Sequence, residues 1–184
     1  MQDPSTKLLR AAEEEVAERG YDGARIRSIA DRAGLTTGAV YSRFSGKEDL
    51  LVAALTRSPN TTLLTGDAPA KEVIRRAGAL TYALGPDQVL VLEALLAARR
   101  VEGLQPGVRA AQEGWMRSVR PVLERGVAEG DLDDDLDLET LAVFLRVVGL
   151  GSMTYLAAGL PAPDAEAWDA LLGRLVDSLS TRSR

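Results

Sequence analysis

Apolar residues recur along this chain at helical spacing almost from end to end, and no segment alternates apolar and polar like a half-buried strand. That pattern restricts the fold to an all-α arrangement. Leu8, Leu9, Ala12 and Val16 form a first stripe, opened by Asp3-Pro4 and closed at Gly20. Short helices follow over residues 26–33 and 37–44, and Ser45-Gly46-Lys47-Glu48 reads as a capping box opening a fourth helix to Arg57. The turn-rich run 58–69 reads as a hinge. Beyond it, the spacing predicts helices near 70–84, 88–102, 107–129, 138–159 and 164–180, for a total of about nine. The organisation expected is a small three-helix head over residues 1–57 on a larger helical body over residues 58–184.

Composition narrows the chemistry. The chain has neither Cys nor His, which removes thiolate and imidazole ligands together with the commonest general base and nucleophile. No metal and no cofactor are expected. Carboxylate, Ser or Lys chemistry stays formally open, yet the acids are scattered or gathered in one turn, and no phosphate-cradling glycine loop is present. The expectation is therefore that the protein is not an enzyme, with an all-helical enzyme as the remote alternative. The first residues carry no apolar signal segment. The longest uncharged apolar stretch, Val147 to Leu160, falls short of the ~20 residues of a membrane span. A soluble, cytoplasmic protein with no membrane partner is expected.

Net charge is −5, but the sign is not uniform. Residues 25–47 carry Arg25, Arg27, Arg32, Arg43 and Lys47 against Asp31 alone, a local balance of +4. A basic patch on an acidic chain still binds phosphate, and the acidic remainder suppresses indiscriminate sticking. Inside this patch lies Ile29-Ala30-Asp31-Arg32-Ala33-Gly34-Leu35-Thr36-Thr37-Gly38-Ala39-Val40-Tyr41. Two helices crossing steeply need a small residue at the contact, supplied by Ala30. They need a residue tolerant of positive φ at the turn, supplied by Gly34, and an apolar plug from the second helix, supplied by Val40. An ordinary helical hairpin shares that spacing. Three additions favour a DNA-binding helix-turn-helix: Thr36 and Thr37 capping a helix with a small polar first turn, Tyr41 and Lys47 placed for flanking phosphates, and the local positive charge.

The run from Leu8 to Leu55, with Gly20-Tyr21-Asp22-Gly23, Thr37-Gly38-Ala39-Val40-Tyr41, Arg43-Phe44 and Lys47-Glu48-Asp49-Leu50, resembles the N-terminal domain of the TetR family of transcriptional regulators. The resemblance implies that Arg27 reaches a base edge from the second helix. It places Thr37, Gly38, Ser42 and Arg43 on the recognition helix, and Tyr41 and Lys47 on phosphates. Arg25 stands where the family usually has a capping Thr or Ser, so it would bind phosphate by charge alone. Ser42 is smaller than the usual residue there, which implies sparse base readout. The DNA-binding set is thus Arg25, Arg27, Thr36, Thr37, Gly38, Tyr41, Ser42, Arg43 and Lys47.

For the body, the resemblance implies a homodimer, formed by the last two helices, and a cavity for a small effector. The dimer candidates are Leu141, Gly149, Ser152, Trp168, Leu172, Leu175 and Leu179; the alternative is that these residues only complete the monomer core. The effector candidates are Leu80, Leu84, Leu92, Leu96, Trp115, Met116, Val119, Leu145 and Val148, which suit a mainly apolar molecule. Glu93, Glu102 and Glu113 offer carboxylates for a cationic ligand, although acids on helices are more often simply exposed. The implied function is a repressor that binds a palindromic operator in double-stranded DNA and is released by its effector. A constitutive or partner-controlled DNA-binding protein is the alternative.

Overall fold

The computed structural model describes residues 3–57, 68–79 and 84–180. Among these residues the chain forms nine α-helices and one 3-10 turn, with no strand. The helices are α1 (Pro4–Gly23), α2 (Ile26–Ala33), α3 (Thr37–Tyr41), α4 (Lys47–Arg57), α5 (Ala70–Ala77), α6 (Pro86–Ala97), α7 (Gln105–Ala128), α8 (Leu138–Ala157) and α9 (Ala165–Asp177). The all-α architecture expected from the periodicity is the one observed.

The chain separates into two compact units, residues 1–60 with 85–114, and residues 61–84 with 115–184. In the first, α1 packs against α2, α4 and α6. Its interior is apolar: Leu8, Ala12, Val16, Ile29, Val40, Leu50, Leu51 and Ala54 are all closed to solvent, and α6 adds Leu90, Val91 and Ala94. Fully burying the Leu, Ile and Val side chains among them stabilises by about 1.5–3 kcal/mol each, which makes this cluster the mechanical base of the head. The start of α7 also belongs here. A Cβ on Gly107 would stand 2.3 Å from Val52 Cγ2, so only glycine lets that backbone lie against α4.

In the second unit α5 packs on α8 and α9. Val73, Ile74, Trp115, Val119, Leu123, Leu141, Leu145 and Val176 share one buried core. α8 opens on a firm cap: Asp137 accepts from the N–H groups of Glu139 at 3.0 Å and Thr140 at 3.4 Å, and from the Thr140 hydroxyl at 2.7 Å. Those bonds hold the Asp137 carboxyl below its ordinary range. By length and composition α8 would also reach across a membrane. Core helices of globular proteins pass the same test, and α8 supplies Leu141, Ala142 and Leu145 to its own unit's core.

Candidate DNA-binding surface

The turn between α2 and α3 is built from the residues the spacing singled out. Gly34 sits at φ +69°, ψ 32°. Its N–H donates to the Asp31 carbonyl at 3.1 Å and the Leu35 N–H to the Ala30 carbonyl at 2.9 Å. This paired closure ends α2 sharply and needs a left-handed residue where Gly34 stands. Thr36 then caps α3, its hydroxyl accepting from the Ala39 N–H at 3.2 Å. Ile29, Ala30 and Val40 are buried beneath the turn. Thr37 follows as the first residue of α3 rather than as a second cap.

The local sequence leaves the outer face polar. Arg25, Arg27, Thr36, Thr37, Gly38, Tyr41, Ser42 and Arg43 are all exposed. Tyr41 keeps 60% of its surface, which is unusual for an aromatic ring and puts the phenol in reach of an outside partner. Arg27 lies 4.0 Å from Asp31 with both side chains in solvent, a contact too weak to hold it there. Arg43 folds back on α3, donating to the Ala39 carbonyl and to Ser42 Oγ, both at 3.0 Å. Arg25 occupies the cap position of α2 without capping it.

Two cations of the basic segment are engaged within the protein. Arg32 turns toward α1, where its guanidinium lies 3.6 Å from Glu14, 3.4 Å from Glu15 and 2.5 Å from Glu18. Glu15 is itself only 1% exposed and also faces Arg19 at 3.2 Å. The pairing raises the Arg32 pKa, chiefly through the Glu18 hydrogen bond, and lowers that of Glu18 by the same contact. Lys47 is half-buried. Its Nζ donates to the carbonyls of Tyr21 at 2.8 Å and Ala24 at 3.3 Å, and lies 4.2 Å over the Tyr21 ring. The count of +4 therefore overstates the charge free to meet phosphate: Arg32 is offset by carboxylates, whereas Arg25, Arg27 and Arg43, and Lys47 with its neutral partners, keep theirs.

The start of α4 also differs in detail from the expected capping box. Ser45 donates through its N–H at 2.8 Å and its hydroxyl at 3.2 Å to Asp49, one residue beyond Glu48. Glu48 is occupied elsewhere, accepting the Tyr21 hydroxyl at 3.0 Å. Burial first, and this carboxylate second, push the Tyr21 phenol up to about 12.

The body candidates are distributed across both units. Trp115, Val119 and Leu145 are buried in the core of the second, with Met116 packed against them and Leu84 and Val148 half-buried. Leu92, half-buried, and Leu96, 61% exposed, belong to α6 in the first. Leu80 lies outside the described residues. The Arg146 guanidinium stands 5.4 Å over the Trp115 ring, and burial lowers its pKa to about 10. Of the dimer candidates, Leu141 and Ser152 are buried within their own unit. Gly149, Leu172 and Leu179 are half-buried, and Trp168 donates from Nε1 to the Gly78 carbonyl at 3.0 Å. Leu175 is 53% exposed. Val143, Phe144, Val147 and Leu171, outside that set of candidates, are about as exposed. Their helical spacing was visible, but not which side of that spacing the core would take.

Residues 8–54, which span α1 to α4, match the model of the family described as bacterial regulatory proteins, tetR family. This segment is a TetR-family DNA-binding domain. It is similar along most of its length to the HTH-type transcriptional repressor AcnR of Corynebacterium glutamicum, 27% identical over 161 residues that cover 83% of this chain and 81% of that one. A crystal structure from Rhodococcus sp., of a protein assigned to the TetR family, superposes with a TM-score of 0.79 at 21% identity, covering 98% of this chain and all of the other. The transcriptional regulator FadR of Bacillus subtilis, solved in complex with stearoyl-CoA, superposes with a TM-score of 0.64 at 20% identity, over 94% and 97% of the two chains. The chain is a DNA-binding transcriptional regulator, and its relatives are regulators rather than enzymes.

Proposed function

We propose that the protein is a cytoplasmic repressor that binds a palindromic operator as a homodimer and leaves it when a small, mainly apolar effector occupies the body. The observation that carries the reading is the face of α2 and α3. Every polar side chain nominated there is exposed, while Ile29, Ala30 and Val40 of the same two helices are buried. One helix-turn-helix reads only a few base pairs, and a twofold pair reads two half-sites about 34–36 Å apart. Arg27 is the residue assigned to a base edge; Thr37, Gly38 and Ser42 line the approach; Arg25, Tyr41 and Arg43 take phosphates. Lys47 uses two of its three N–H donors on carbonyls and has the third left for a phosphate.

The dimer is supported by the outer stripes of the last two helices. Val143, Phe144 and Val147 on α8, and Leu171 and Leu175 on α9, each keep about half or more of their surface in water. Burying such half-exposed groups is worth about 1 kcal/mol apiece, counted on both protomers. Leu175 of the expected set lies on this seam. An effector is supported by the apolar residues around Trp115 and by the stearoyl-CoA bound to the FadR neighbour. Regulation requires differential affinity of the effector for two states of the body, with ~1–3 kcal/mol of coupling as the usual scale.

Sedimentation of the full chain, followed by operator release against a panel of fatty acids, acyl-CoA esters and other apolar acids and amines, tests the reading. A dimer mass with release by one class supports it. A monomer at micromolar concentration removes the palindrome. A dimer whose operator affinity no compound shifts favours the constitutive alternative.

A further inference from the structure

The break in α1 leaves a backbone donor that the helix cannot satisfy. Gly20 has φ +68° and ψ 172°, which swings the next peptide out of the helical ladder and points the Tyr21 N–H away from the helix's own carbonyls. Its acceptor comes from α6, distant in sequence: Glu93 Oε2 takes the Tyr21 N–H at 2.8 Å. The fit is close, since a Cβ on Gly20 would stand 3.3 Å from that same carboxylate oxygen.

Tyr21, so held, is the hub of the head. It is 4% exposed. Its hydroxyl donates to Glu48 at the start of α4, its carbonyl accepts from Lys47, and its ring lies beneath the Lys47 ammonium. Through this one residue α6 is tied to the end of α1 and to the first turn of α4. That turn follows α3 after only a few residues, so its placement sets how α3 is presented.

We propose that Glu93 is a positioning residue for DNA binding: it touches no DNA, but by accepting the Tyr21 N–H it fixes α4 and the recognition helix. The inference rests on the DNA-binding reading above and adds to it the residue through which α6 acts on the head. Glu93 is here a backbone acceptor, not the partner for a cationic ligand that its sequence position suggested. A shift of α6 that withdraws the carboxylate would leave a buried donor unpaired and loosen the hub.

The test compares Glu93→Ala with Glu93→Gln in the full chain. Both lose the charge, and only Gln keeps an oxygen able to accept the N–H, so their difference isolates the hydrogen bond. The expected result is roughly three- to thirtyfold weaker operator binding for E93A, near-native binding for E93Q, and the same salt slope for both as for the unaltered chain. Arg100→Ala, which removes the exposed ion pair to Asp22 near the same contact, is the control expected to bind as the unaltered chain. Equal affinity for E93A and E93Q overturns the proposal, as does a fall in the melting temperature of E93A with no loss of affinity. Amide hydrogen exchange over residues 21–24 and α4 decides the point without DNA. Faster exchange in E93A than in E93Q supports the latch, and equal exchange refutes it even if the unaltered chain selects no operator.

Discussion

Replacing Arg32 with Met separates two accounts of the basic segment. Read from sequence, Arg32 is one of five cations available to phosphate. In the structure it is held among Glu14, Glu15 and Glu18, with 28% of its side chain exposed. Glu15 is the partner that matters, because at 1% exposure its charge is desolvated, whereas Glu14 and Glu18 remain partly solvated. Removing one member of a fully buried pair typically costs about 3–5 kcal/mol, and Arg32, itself exposed at the surface, carries only part of that. Arg19 still stands 3.2 Å from Glu15, and Met recovers the packing of the aliphatic stem, so roughly 2–3 kcal/mol is the expected loss. For a chain of this length that lowers the melting temperature by roughly 5–10 °C. Calorimetry or urea denaturation measures the loss, and a salt titration of operator affinity supplies the second readout. The slope should stay unchanged, because no phosphate contact is lost. A variant of native stability whose slope is shallower by about one counterion would place Arg32 on DNA and refute the reasoning.

Three further outcomes follow from the geometry. Glu13 is raised to about 6, mainly by burial and then by Asp87, against the opposing pull of Arg57 and Arg10. Its folded form therefore binds the proton more tightly than its unfolded form, so its contribution to stability is full below about 4.5 and is lost as pH rises through 6. After discounting for its partial exposure, Glu13→Gln should gain about 1 kcal/mol at pH 7 and flatten the stability profile between those values, measured by urea denaturation at pH 5 and pH 7. Gly107→Val drives side-chain carbon into Val52 and should cost about 1–3 kcal/mol, read by thermal melting; native stability would mean that the contact relaxes freely. Phe144→Asp with Val147→Asp should shift the sedimenting species toward monomer and weaken operator binding, leaving helicity by circular dichroism unchanged.

What could be read from the sequence is what local physics decides. The left-handed turn at Gly34 and the cap at Thr36 depend on residues within a few positions of one another, and both are in the structure as expected; helix ends were placed less well, since α1 runs past Gly20 to Gly23 and α3 stops at Tyr41 rather than Phe44. Apart from local ones such as the second cap at Thr37, the misreadings involve partners far apart in the chain. Ser45 is paired with Asp49 because Glu48 is claimed by Tyr21, and Arg32 is drawn off by carboxylates on α1. The inclusion of α6 in the first unit is equally non-local, since its periodicity says only that one side is buried, not against what. For the same reason Phe144 and Val147 on α8 were indistinguishable from Leu141 and Leu145 until the positions of α5 and α7 were known.

The most direct test of the central claim is selection of bound sequences from a random duplex pool, carried out with the unaltered chain and with Arg27→Ala. The account predicts an inverted repeat whose half-sites are separated by about one helical turn. Arg27→Ala should relax the preference at one symmetry-related position in each half, at a cost of about 1–3 kcal/mol. Recovery of no sequence above background from a folded dimer, or an identical motif and affinity for both proteins, would contradict the assignment of the α2–α3 face to base readout.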